Sequence, residues 1–159
     1  MERDRDPEQP DDPSQRPYTE SPVITKTVRL VVPFVATFGL FTMFHGTSSV
    51  GGGFQGGVVV AAAVVTIAFA FGVAQTGRWV DRGLVTGLAV VGVVVFAVVA
   101  LGSLAFGGRI LELLAFPGEK TAVYAIEAVE IGIGATVAAA IVVFFFEIAG
   151  AFDGSGGER

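Results

Sequence analysis

Few side chains in this sequence can do chemistry, and most of them sit at the ends of, or inside, long apolar runs. The stretch "HGTSSVGGGFQGG", residues 45–57, holds the chain's single histidine, a glycine triplet, one glutamine and a glycine pair. An imidazole exchanges protons near neutral pH, so His45 could serve a proton relay if a hydrated path reaches it. The plainer reading makes it a satisfied residue where an apolar helix ends. Glu127, Glu130 and Glu147 are the acids inside the last apolar segment. Glu127 and Glu130 are three residues apart and share one helix face. An ionisable group within a membrane helix is costly and usually faces a bundle interior, a partner or an ion path. Glu130 lies deeper in the segment than Glu127 and is the stronger ion-path candidate, with His45 and Glu127 beside it; solvation at the interface suffices for Glu147.

Other chemistries lack their parts. The sequence has no cysteine and one histidine, which leaves no disulfide, no thiolate and no histidine-rich metal site, and no cofactor is expected. No nucleophile and base stand in a pattern that suggests covalent catalysis. The glycine stretch resembles a phosphate loop only superficially, because it follows an apolar helix rather than a strand, lacks a GK[ST] and does not match GxGxxG. It reads either as a bare linker or as close-packed backbone against a neighbouring polypeptide or a hydrated cavity. Phe54 and Gln55 between Gly51, Gly52, Gly53 and Gly56, Gly57, with no charge, fit the second better. Irregular backbone at membrane depth is tolerated only where protein or a water-filled cavity surrounds it.

The elements that carry these residues follow from composition. Of 159 residues, 52% are apolar and 16% charged, and the mean hydropathy is +0.70, where an average soluble domain is roughly 25% charged. Segments such as Leu84 to Phe106 carry no charge on any face, so nothing there suits water. A spanning helix needs about 20 apolar residues. Four segments meet this, at about residues 27–44, 57–75, 84–106 and 121–150, so the expected fold is an all-α integral membrane protein with four transmembrane helices in an up-down bundle, a single membrane domain over residues 25–150. Pro33 removes a backbone hydrogen bond within the first helix and predicts a kink. In the last helix, Ala128, Gly132, Thr136 and Ala140, with Gly134 and Ala138 on a second line, permit close helix approach, within the bundle or toward a larger assembly.

Residues 1–24 hold Glu2, Asp4, Asp6, Glu8, Asp11, Asp12 and Glu20 against Arg3, Arg5 and Arg16, five of the seven prolines and few apolar residues, which predicts a disordered acidic tail. It does not resemble a signal peptide, whose charged region is basic, so the first apolar helix is expected to persist in the mature chain. Residues 151–159 form a second, short tail. Arg16, Lys26, Arg29, Arg78, Arg82 and Arg159 fall on one side of such a bundle and Arg109 and Lys120 on the other, so both termini are expected in the cytoplasm, with Trp79 as an inner interfacial anchor.

The residues then resemble a known family. "RLVVPFVATFGLFTMFHGTSSVGGGFQGGVVVAAAVV", Arg29 to Val65, is similar to the signature of the MnhB/MrpB-type subunit of multisubunit monovalent cation/proton (Na+/H+) antiporters, with Pro33, His45, Gly46 and Gly51 through Gly57 at the matching positions. Val50 departs from that pattern, which has proline before the glycine triplet. "IEAVEIGIGATVAAAIVVFFFE", Ile126 to Glu147, resembles the last helix of the same family. The resemblance implies an integral subunit of a hetero-oligomeric complex that exchanges sodium for protons in the cell membrane. Its partners would be the other subunits, the lipid bilayer, monovalent cations and protons, with no nucleic acid. Two alternatives remain: the equivalent subunit of an ion-pumping membrane-bound hydrogenase or related redox complex, and a stand-alone structural membrane protein or small channel.

Overall fold

The computed structural model describes residues 21–46 and 51–155. The expected disorder of residues 1–20, the Val50 position and residues 156–159 lie outside the described residues. The described chain forms helices α1 (Pro22–Phe44), α2 (Gly53–Phe71), α3 (Val73–Trp79), α4 (Arg82–Ala105) and α5 (Glu119–Ser155), with a short 3-10 turn at Leu113–Ala115. Four of them are long and apolar enough to cross a membrane: α1, α2, α4 and residues Lys120–Gly150 of α5. At 1.5 Å per residue, α2 is about 28 Å long and α5 about 55 Å, against a hydrocarbon thickness of about 30 Å. The chain is a multi-pass, all-α membrane protein.

Several boundaries differ from those read in the sequence. Pro22 opens α1 at the first helical position, where its missing N–H is harmless, so helix already covers residues 22–24. Pro33 lies within α1, which continues through it; the Thr37 hydroxyl donates to the Pro33 carbonyl at 2.7 Å. α2 starts at Gly53 rather than near Gly57, and Gly72, with φ +90°, ends it before Gln75 and starts the separate short α3. The Asp81 side chain accepts from the N–H groups of Gly83 and Leu84 and caps α4.

The helices pack in the order α1, α2, α5, α4, with α5 between α2 and α4. Consecutive spanning helices alternate in direction, and the spatial neighbours α2 and α5 run parallel: Gly53 meets Glu130, Gly57 meets Gly134, and Phe69 meets Phe145. Small residues fill the centre. Ala61 and Ala68 are fully buried, while Phe34 is 70% and Phe69 65% exposed. This inverted distribution suits a bundle in lipid, where tails are as apolar as leucine and association rests on close backbone approach.

Each crossing is a glycine contact. Gly39 of α1 faces Gly56 of α2; Gly134 of α5 faces the Gly53 carbonyl; Gly132 of α5 faces the Gly92 carbonyl of α4. Thr136 donates its hydroxyl across to the Ala89 carbonyl at 3.1 Å. The small-residue lines in α5 thus serve packing within the chain: Gly132 and Thr136 toward α4, Gly134 toward α2 and α1.

Candidate functional site: a carboxylate against the α1–α2 turn

The last turn of α1, the first turn of α2 and the fourth turn of α5 meet around Glu130. Its carboxyl group occupies the space that a side chain on Gly46 would need, and its backbone carbonyl occupies the space of one on Gly53. A Cβ on Gly52 would lie 3.6 Å from Glu130 Oε1. Glycine at positions 46 and 53 is therefore what lets the carboxylate lie against the turn. Gly51 has φ +146°, a backbone region that side-chain-bearing residues rarely adopt, and it lies beside Thr42 and the Gln55 amide oxygen.

This arrangement puts the Glu130 carboxylate at the N-terminal end of α2. The first N–H groups of a helix have no acceptors within it and carry a partial positive charge, which favours an anion there. The Gly56 N–H already bonds to the Gly52 carbonyl at 3.0 Å, which leaves the earlier amides of the turn as the ones without an acceptor inside the helix. Glu130 Oε2 is shielded from solvent and has no hydrogen-bond partner among the described residues. A buried carboxylate oxygen in that state is costly and accepts a proton or a cation readily.

Glu127, one turn earlier on α5, is half-buried and close enough to Glu130 for the two charges to repel. His45 caps α1, exposed, with its ring stacked on Phe41 at 4.0 Å and Nδ1 3.1 Å from the Phe41 carbonyl. Its neighbour Gly46 touches the Glu130 carboxyl, so His45, Glu127 and Glu130 gather at one end of the bundle. Glu147 lies at the opposite end, exposed, and pairs with Arg82 at 3.0 Å. α5 extends eleven residues before Glu130, about 16 Å, so the α1–α2 turn is set well back from the start of α5.

The glycine run divides by face. Gly53, Gly56 and Gly57 are buried in the first turns of α2 against α5 and α1, whereas Phe54 and Gln55 point outward. What the sequence did not disclose is the pairing: that Gly46 and Gly53 clear room for Glu130, and that Gly92 meets Gly132. A Gly46 followed seven residues later by Gly53 was visible as spacing, but their common neighbour on α5 was not.

A family profile described as "Domain related to MnhB subunit of Na+/H+ antiporter" matches residues 23–143. The chain belongs to the MnhB family. A protein of Staphylococcus haemolyticus (strain JCSC1435) named "Putative antiporter subunit mnhB2" is 31% identical over 138 residues, covering 82% of this chain and 96% of its own length. The MnhB match takes in the whole site, from the end of α1 through Glu130, together with all three glycine crossings, and leaves the acidic N-terminal segment outside.

Proposed function

We propose that this chain is the MnhB-type membrane subunit of a multisubunit Na+/H+ antiporter, assembled in the membrane with other subunits and contributing Glu130 to the path of the exchanged ions. Membership of the MnhB family is the observation that carries the assignment, and the related protein named as an antiporter subunit supports it. The chain acts as a transporter subunit without covalent catalysis, and its cargo is monovalent cations and protons. Both termini face the cytoplasm, a reading supported by Lys26, Arg29, Arg78 and Arg82 at one end of the bundle against Arg109 and Lys120 at the other.

Within that role, Glu130 holds a proton or cation transiently. Its carboxylate faces a helix N-terminus and a turn without side-chain bulk, and one of its oxygens lacks a partner among the described residues. Glu127 adds negative charge next to it, and His45 stands at the mouth of the same turn as a proton donor and acceptor. The test is sodium-driven proton movement in everted membrane vesicles carrying the complex. Glu130→Gln removes the charge and keeps the shape, so exchange is expected to fall while the subunit still co-purifies with its partners. Exchange at the wild-type rate would return Glu130 to a packing role and leave the family assignment standing.

A further inference from the structure

The end of the bundle opposite Glu130 carries a second arrangement, separate from the Glu130 site. Arg29 of α1 lies over the Phe71 ring, with its guanidinium carbon 5.1 Å from the centroid, and the Trp79 ring is 6.5 Å from that of Phe71. Arg78 precedes Trp79, and Lys26 lies one turn before Arg29 on the same side of α1. Three elements build this cradle: α1, the end of α2, and α3.

The cradle is fixed in place from behind. Gly72 redirects the chain, Thr76 is buried at 3% exposure, and Gly77 packs against Phe146 of α5, where an added Cβ would lie 3.6 Å away. Arg78 and Trp79, the latter 65% exposed, are thereby held outward. Two acids near this end are engaged elsewhere: Asp81 caps α4 and Glu147 pairs with Arg82. Arg29 therefore stands beside the exposed indole by way of Phe71, Lys26 and Arg78 add two further positive charges at the same end of the bundle, and neither the Asp81 nor the Glu147 carboxylate is bonded to them.

We infer that this cradle binds an anionic lipid headgroup, its phosphate between Arg29 and Arg78 and its glycerol region against Trp79. Charge complementarity selects the occupant, since each basic residue at a membrane surface attracts acidic lipid, and an indole prefers the interface. Arginine spread over an aromatic face keeps its remaining N–H donors pointing outward for a phosphate. Bound lipid would pin α1 to α3 at the leaflet nearest the N-terminus.

Trp79 is the single tryptophan of the chain, so its emission reports this site alone. The full chain is reconstituted in phosphatidylcholine vesicles containing increasing fractions of lipid brominated on its acyl chains, either phosphatidylglycerol or phosphatidylcholine. Brominated phosphatidylglycerol is expected to quench Trp79 at a mole fraction at least about five-fold lower, the scale expected for one engaged basic residue. The preference should disappear in R29Q/R78Q and return in R29K/R78K, which keeps the charges. Equal quenching by the two lipids, or a preference unchanged in R29Q/R78Q, would overturn the inference. A preference seen only after removal of residues 1–20 would also overturn it, by assigning the cradle to the chain's own acidic segment.

Discussion

Gly134→Ala adds one methyl group where three helices meet. The new Cβ would stand 2.7 Å from the Gly53 carbonyl oxygen of α2 and 2.6 Å from Met43 Cε of α1. Met43 is flexible and its end can swing away. The Gly53 carbonyl is backbone, buried at the start of α2, and it recedes only if α2 and α5 move apart. Overpacking of this kind costs about 1–3 kcal/mol. Against it stands the gain of replacing glycine by alanine within a helix, about 0.5–1 kcal/mol. The net expectation is a loss of about 1–2 kcal/mol, a factor of about 5–30 in the ratio of folded to unfolded chain. Gly87→Ala supplies the internal control. Nothing lies within 4 Å of a Cβ at Gly87 on α4, so the helix-propensity gain should emerge alone and stabilise the chain. Unfolding of the purified chain in mild detergent, followed through Trp79 on α3, which packs against α5, measures both. Equal shifts for the two variants, or a stabilised Gly134→Ala, would rule out α5 as a helix held by backbone contact.

Two further expectations concern the helix pairs. Thr136→Val removes the hydroxyl that bridges α5 to the Ala89 carbonyl while keeping its shape, and should lower stability by about 0.5–1 kcal/mol in the same unfolding assay. The Arg82–Glu147 pair is 67% and 59% exposed, so a double-mutant cycle with Arg82→Gln and Glu147→Gln should return a coupling of no more than about 0.5 kcal/mol, smaller still at high salt.

The spanning helices were legible because lipid imposes a crude requirement, about 20 predominantly apolar residues with few charges, and α1, α2, α4 and α5 each meet it. The start of α2 was harder to read. Glycine is a poor helix former, so a run such as Gly51–Gly57 reads as a loop; in the fold, Gly53, Gly56 and Gly57 are worth more as contact surface for α5 and α1 than they cost in propensity. The break at Gly72 had a local signal, a glycine after "FAF", but uniform hydropathy on both sides masked it. α5 carried two lines of small residues in plain view. That one faces α4 and the other α2 depends on the lateral order of the helices, which no local pattern encodes.

The same division holds at the site. His45, Glu127 and Glu130 stood out as the ionisable residues of an apolar sequence. That Glu130 lies against Gly46 and Gly52, far earlier in the chain, emerges only when α2 and α5 run parallel. The Arg29–Phe71–Trp79 cradle is likewise tertiary: its residues come from three elements, and only Trp79 had been marked as interfacial.

Whether this chain works as one member of a larger ion-exchanging assembly is decided by purifying the tagged full chain from native membranes in mild detergent and identifying whatever accompanies it. A stable complex containing several other antiporter subunits is the expected outcome. A homo-oligomer free of such subunits, or a complex built around a hydrogenase, would be incompatible with the assignment.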